Sequence, residues 1–245
     1  MNETIGLAPV AGDEAGQNTS PLEADGGAER TAIDAGYRVQ YFEAGTRAHY
    51  VAPADHTYHF EAYAGHWKAI EIPEGGSAVY LNDDATEAIR RRGPATVSSR
   101  HMCTIIPGYK PPNMTKSLEG LTVLPYVNGC STKQIFPPER AGDPTLQYLH
   151  IPPNSAEQAH HIHSTVRVVY IHSGRGVSIV GMDQETFEAE LTPGMVCILD
   201  PMVPHHFETP FGEALVCVPF HVFSTVPGVE SNHPMFNGTF MTGQR

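Results

Sequence analysis

Residues 160–176 read His-His-Ile-His-Ser-Thr-Val-Arg-Val-Val-Tyr-Ile-His-Ser-Gly-Arg-Gly, and no other stretch limits the fold as strongly. In a β-strand successive side chains point to opposite faces. Val166, Val168 and Tyr170 alternate here with Arg167, Val169 and Ile171, and their β-branched and aromatic content suits a pleated, half-buried surface. Ser173-Gly174-Arg175-Gly176 then reads as a turn. Just ahead of the strand, His161 and His163 stand two residues apart and so share a face. Some forty residues later comes Pro204-His205-His206-Phe207. Two histidines on one strand and a third at the end of a later strand can build a facial metal site, which imidazole offers to iron, zinc, copper, nickel or cobalt.

The rest of the chain fits an all-β reading. Its 23 glycines and 21 prolines supply turns between short strands. A length of 245 residues makes one large domain or two small ones. The net charge of −12 argues against nucleic acid and anionic membranes as partners. No apolar run approaches the ~18 residues needed to span a bilayer. The start, Met1-Asn-Glu-Thr-Ile-Gly-Leu, lacks a basic region followed by an apolar one, so a cytoplasmic location is expected. Cys103, Cys130, Cys197 and Cys217 form no C-x-x-C pair and are expected to be free thiols, with Cys197 and Cys217 buried in apolar strands.

Taken in order, residues 1–35 are acidic and weakly patterned, as a mobile arm would be. Residues 36–120 are an N-terminal β region. Within it, Asn82–Gly93 reads as a short helix capped by Asp83 or Asp84, with Arg90 to Arg92 at its solvated C-terminus. Residues 94–120 read as a connection between halves, and His56 and His59 as surface or structural histidines rather than a second metal site. Residues 121–230 hold the central strands, and 231–245 form a tail. Lys133, Gln134 and Gln147 are candidates to line the central cavity.

The central stretch resembles the cupin superfamily. That family's first motif runs His-x-His, three or four residues, Glu, six residues, Gly, and His161, His163, position 167 and Gly174 fit the spacing. Its second motif runs Gly, five residues, Pro-x-Gly, two residues, His. Gly194 counts to His205, with Asp200 and Met202 in place of the inner Pro and Gly, while Pro201 counts to His206. The resemblance implies a cupin-type β-barrel or jelly roll, with the N-terminal β region either a degenerate second cupin half or extra strands. It also implies one divalent metal ion per chain, Fe(II) ahead of Zn(II), held by His161, His163 and His205, and a homodimer. His160 and His206 face away if both lie in strands, and remain rivals.

The family's glutamate position is Arg167, which cannot ligate a metal. Strand parity aims its guanidinium at the same cavity as the histidines, and turns His172 away. A cation beside a divalent metal is costly unless an anion joins them. Arg167 therefore points to a small anionic substrate, clamped in bidentate fashion. Tyr148, Tyr170 and Glu157 are candidate acid–base groups, although core packing and a solvated loop explain them better. Within the resemblance, the expected activity is Fe(II)- and dioxygen-dependent oxidation of such a metabolite, an amino-acid derivative among the candidates. A zinc cupin catalysing isomerisation, elimination or rearrangement such as nitrogen–nitrogen bond formation, and a non-catalytic ligand-binding cupin, are the alternatives.

Overall fold

The computed structural model describes residues 29–34, 37–52, 58–120, 122, 124–139, 142–182 and 185–223. Most of the expected arm, His56 and the expected tail lie outside these residues. The N-terminal strands are β1 (Glu29–Asp34), β2 (Tyr37–Phe42), β3 (Ala48–Val51), β4 (Glu61–Ala64), β5 (Trp67–Ile72) and β6 (Gly76–Leu81). They continue with β7 (Glu87–Arg92), β8 (Ala95–Ser99), β9 (Met102–Pro107) and β10 (Met114–Ser117). Next come β11 (Leu124–Pro125), β12 (Ser131–Phe136), β13 (Thr145–Ile151), β14 (Val166–Gly174) and β15 (Gly176–Met182). The last are β16 (Glu185–Leu191), β17 (Val196–Leu199), β18 (His205–Glu208) and β19 (Leu215–Val222). Among the described residues the single helical element is a 3-10 turn, Val127–Gly129, so the all-β expectation holds.

An eight-stranded sheet runs β1-β2-β17-β14-β19-β13-β12-β11 and faces a three-stranded sheet, β16-β15-β18. Bridges Ala156↔Glu208 and His161↔His205 extend the smaller sheet on its open side. Between the two sheets lies an apolar core that includes Val169, Ile171, Cys197, Phe207, Leu215 and Cys217. The N-terminal half has its own pair of sheets, β10-β7-β6-β9-β4-β3 and β5-β8, around Ile70, Ile72, Ala78, Cys103 and Ile105. A third core, with Val79, Leu81, Met102, Val168, Tyr170 and Phe220, joins the two large sheets back to back. Each such fully buried side chain contributes roughly 1.5–3 kcal/mol, and the alternation along β14 divides its residues between two of these cores.

The order β7-β6-β9-β4-β3 in one large sheet repeats β17-β14-β19-β13-β12 in the other. The N-terminal unit differs by one hairpin. β6 turns directly into β7, whereas β15 and β16 intervene between β14 and β17. The connectivity is that of a jelly roll with two strands missing, which favours the degenerate-half reading over simple sheet extension.

Several local expectations need correction. Asn82–Gly93 is a turn followed by a strand, not a helix. The Asn82 carboxamide oxygen accepts the backbone N–H groups of Thr86 and Glu87, both at 2.9 Å, and closes the turn. Ala88 and Arg90, two residues apart, are then buried, which is the strand period. Arg90 is 2% exposed and donates to the Pro112 carbonyl, the Tyr109 hydroxyl and Glu139, so it is not a solvated helix end. Residues 94–120 carry β8, β9 and β10 rather than a bare connection. Glu29–Asp34, assigned above to the arm, pairs with β2. β2 in turn pairs with β17, so the N-terminal boundary at residue 36 separates strands that belong to the C-terminal sheet. Backbone pairing between distant segments leaves no mark in local composition. All four cysteines are free, as expected, and all four are buried. Among the described residues no helix is long and apolar enough to cross a membrane.

Candidate metal centre

The three histidines converge at one end of the C-terminal barrel. His161 and His205 exchange backbone hydrogen bonds of 3.1 and 2.9 Å, and the Met202 N–H donates to the His163 carbonyl at 2.7 Å. These bonds fix the His161–His163 segment against the start of β18. Ile162 between them turns outward, 49% exposed. One ring nitrogen from each of His161, His163 and His205 lies within 4.8 Å of the other two. The Nε2 atoms of His161 and His163 are 2.8 Å apart. Two imidazoles on adjacent vertices of a metal at ~2.1 Å would place their nitrogens ~3 Å apart, so the spacing fits.

Hydrogen bonds on the far side of two rings set the tautomers. His205 Nδ1–H donates to the Val203 carbonyl at 2.7 Å, and His161 Nδ1–H to the Ala159 carbonyl at 3.0 Å. Each ring is left with a lone pair on Nε2, the outer arrangement that orients metal-bound imidazoles. Burial, with the Arg167 charge as the second cause, pushes His163 down to about 3 and His205 to about 2. Burial also lowers His161. The rings are therefore neutral and ready to ligate at neutral pH.

This has a consequence for the metal-free chain. His163 and His205 stay neutral when folded but titrate near 6.5 when unfolded. Below that pH the unfolded chain takes up protons that the folded one refuses, so stability falls, and falls further until the pH nears the folded values. The loss by pH 5 is on the order of 1–2 kcal/mol per ring. Urea midpoints at pH 7 and pH 5 check it, and a midpoint that rose toward pH 5 would contradict the neutral-ring assignment.

Arg167 faces the same cavity, reaching His205, and is 2% exposed, although β14 begins only at Val166 and the expected single strand carrying His161 and His163 is irregular chain instead. Its Nη1–H donates to His205 Nε2 at 2.5 Å, and its Nη2–H to Glu157 Oε1 at 3.2 Å. Glu157 is equally buried, so it is neither solvated nor a free acid–base group. It supplies the anion that the sequence argument looked for in a substrate, and the need to neutralise Arg167 no longer requires a ligand. Arg167 Nε and Glu157 Oε2 are both buried without a hydrogen-bond partner. His221 completes the surroundings: its ring centroid lies 5.5 Å from that of His163, and its Nδ1 contacts the Thr165 hydroxyl at 3.2 Å.

The other candidates lie elsewhere. Tyr148 and Tyr170 belong to the core between the two large sheets, on the opposite face of β13 and β14 from the metal centre. Tyr170 contacts His101 Nδ1 at 3.1 Å, and Tyr148 packs edge-on to His172. An acid–base role for either tyrosine at the centre is thereby overturned, because residue 170 has the parity opposite to 167. Lys133 donates to the carbonyls of Ser117 and Glu119, and with Gln134 it lines a separate cavity of ≈ 360 Å³ beside Arg90 and Glu139. Gln147 sits across from Gln134. His160 and His206 meet each other on the outer face of the barrel, not the metal centre. Of the two residues that sequence reasoning undervalued, His221 shares the parity of Cys217 on β19, a signal that needed the strand boundaries. Glu157 lies in irregular chain, where parity gives no signal.

Comparison with known proteins bears on the family of this part of the chain. The sequence profile of the family described as Cupin domain matches residues 147–222. This part of the chain is a cupin domain. Among solved structures, similar ones include a cupin-2 domain protein from Rhodospirillum rubrum, at 20% identity, TM-score 0.34, covering 39% of this chain and 60% of that one. A cupin 2 conserved barrel domain protein from Rhodopseudomonas palustris is 19% identical, with TM-score 0.34 and coverage of 42% and 67%. The polyketide cyclase RemF from Streptomyces resistomycificus is 18% identical, with TM-score 0.34 and coverage of 40% and 68%. No curated protein matches the chain. The cupin match spans β13 to β19 and so includes all three histidines together with Glu157, Arg167 and His221.

Proposed function

We propose that the chain is a metal-dependent cupin enzyme that oxidises a small anionic metabolite with Fe(II) and dioxygen. The observation that carries this reading is the convergence of three neutral imidazoles, His161, His163 and His205, at the mouth of the barrel. An all-nitrogen facial set suits a borderline metal and leaves positions open. When bound, Fe(II) would supply redox chemistry with dioxygen, whereas Zn(II) would supply Lewis acidity.

The chain's own charges support an anionic ligand even though Glu157 neutralises Arg167. Three neutral imidazoles contribute no charge, so both charges of a divalent ion stay uncompensated in a poorly solvated site. His205 Nε2 also cannot give one lone pair to both Arg167 and a metal ion. If it held an ion, the Arg167 Nη1–H would be free to donate to a carboxylate or similar group, while Glu157 would keep hold of Nη2. Arg167 thereby binds and orients the ligand, and His221 and His163 wall the site beside it.

The test is elemental analysis of anaerobically purified protein, followed by addition of nitric oxide as a dioxygen surrogate. About one iron per chain, absent from His161→Ala, with an Fe(II)–nitrosyl paramagnetic signal, is the expected result. About one zinc per chain with no dioxygen uptake would overturn the oxidative reading in favour of an isomerase or lyase.

A further inference from the structure

The sequence doubles its histidines twice, as His160-His161 in the irregular segment before β14 and as His205-His206 at the start of β18. The His161↔His205 bridge places these doublets side by side. Adjacent residues of β18 face opposite sides, so His205 joins His161 inside the barrel while His206 turns outward and meets His160. His160 Nδ1 and His206 Nδ1 are 2.7 Å apart, with the rings at 87°.

The far nitrogens are already committed. His160 Nε2–H donates to the Gly181 carbonyl at 2.5 Å, which can only accept. His206 Nε2–H donates to Glu208 Oε1 at 2.9 Å. A neutral imidazole has one N–H, so both Nδ1 atoms present lone pairs to each other at hydrogen-bond distance. The pair is one cation short. Carbonyl and carboxylate partners on the far nitrogens are also the supports that metal-bound histidines generally have. The same device, a backbone carbonyl on the far nitrogen, orients His161 and His205 in the inner site.

We propose that His160 Nδ1 and His206 Nδ1 form a second site for a divalent transition metal such as zinc, back to back with the inner one. Two nitrogens 2.7 Å apart suit adjacent positions on one ion at ~2 Å. His160 is exposed, so water can complete the coordination. The Glu208 carboxylate makes His206 a stronger donor and offsets part of the added charge. The outer site stands apart from the assignment of the catalytic metal, since it shares no ligand with it.

Equilibrium dialysis of the chelator-treated full chain against Zn(II), with zinc counted per chain, tests the proposal. Wild type should hold about two zinc ions, and His160→Gln and His163→Ala should each lose one. Combining the two substitutions should lose both. Cu(II) titration of His163→Ala should give a paramagnetic spectrum of an ion bound by two nitrogens, absent from His160→Gln/His163→Ala. His206→Gln serves as a second probe should His160→Gln perturb folding, judged by circular dichroism. A single zinc per wild-type chain that is kept in His160→Gln and lost in His163→Ala would overturn the proposal, and would mean that a proton fills the gap between the rings. Two zinc ions retained in both His160→Gln and His206→Gln would overturn it equally.

Discussion

Glu157→Gln is expected to lower the stability of the metal-free chain by roughly 3–5 kcal/mol. The substitution keeps the side chain's size and one acceptor but removes the carboxylate that, among the described residues, bonds Arg167 in the buried centre. Arg167 cannot shed its charge and is 2% exposed, so an unpaired guanidinium would be stranded in the barrel. For a chain of this length the loss lowers the melting temperature by roughly 6–20 °C. Replacing both partners together, as in Glu157→Leu/Arg167→Met, should restore at least half of the loss, because two desolvated charges vanish at once. Chemical denaturation of the three proteins at pH 7 measures this. Equal stability of Glu157→Gln and wild type would show that the carboxylate is not the counter-charge. The pair is an imperfect one, since Arg167 Nε and Glu157 Oε2 have no partner. An ion pair with unmet hydrogen bonds is poor at stabilising a fold, which fits a role in positioning Arg167 rather than in holding the barrel together.

The central strand was legible because its alternation is strict. Val166 to Ile171 fixed both the strand and the side on which Arg167 would emerge, and the His-x-His spacing fixed two of the ligands. Parity also placed Tyr170 and His172 away from the centre, which outweighs the chemical appeal of a tyrosine as an acid. What the sequence concealed is of two kinds. Asn82–Arg92 has the charge order of a capped helix, yet its turn is closed by the Asn82 side chain and its strand is held by pairing with β6 and β10, contacts made across the sheet. The second kind is charge partnership. Nothing local tells Arg167 that Glu157 will lie beside it, since a mostly irregular stretch carrying His161 and His163 separates them. The repeat of strand order in the N-terminal half is hidden for a related reason. Its strand β5 presents Ile70 and Ile72 to the core, so the fold recurs without the metal-binding residues that make it recognisable.

His163→Ala separates a ligand from a structural histidine. Metal affinity should fall by at least ~100-fold, since loss of mere outer hydrogen-bond partners already costs about 10–100-fold. Stability should respond quite differently. The His163 ring has one hydrogen-bonding neighbour, His161 Nε2, whose own tautomer makes it an acceptor. Burial holds the ring's pKa at about 3, a penalty that the folded chain carries whenever the unfolded chain can protonate. At pH 7 that penalty is small, and the smaller side chain costs about 1 kcal/mol in lost packing. At pH 5 wild type bears a penalty on the order of 1–2 kcal/mol from this ring, and the variant does not. The metal-free variant should therefore be slightly less stable than wild type at pH 7 and no less stable at pH 5. Urea unfolding at both pH values, beside zinc binding at pH 7, gives the comparison. A variant that lost several kcal/mol at both pH values while keeping its metal would make His163 a packing residue and reduce the centre to His161 and His205. If metal is lost and the pH ordering reverses as described, the ring is held in the barrel against its own preference for water. Ligation is then the one role at this position that repays the cost.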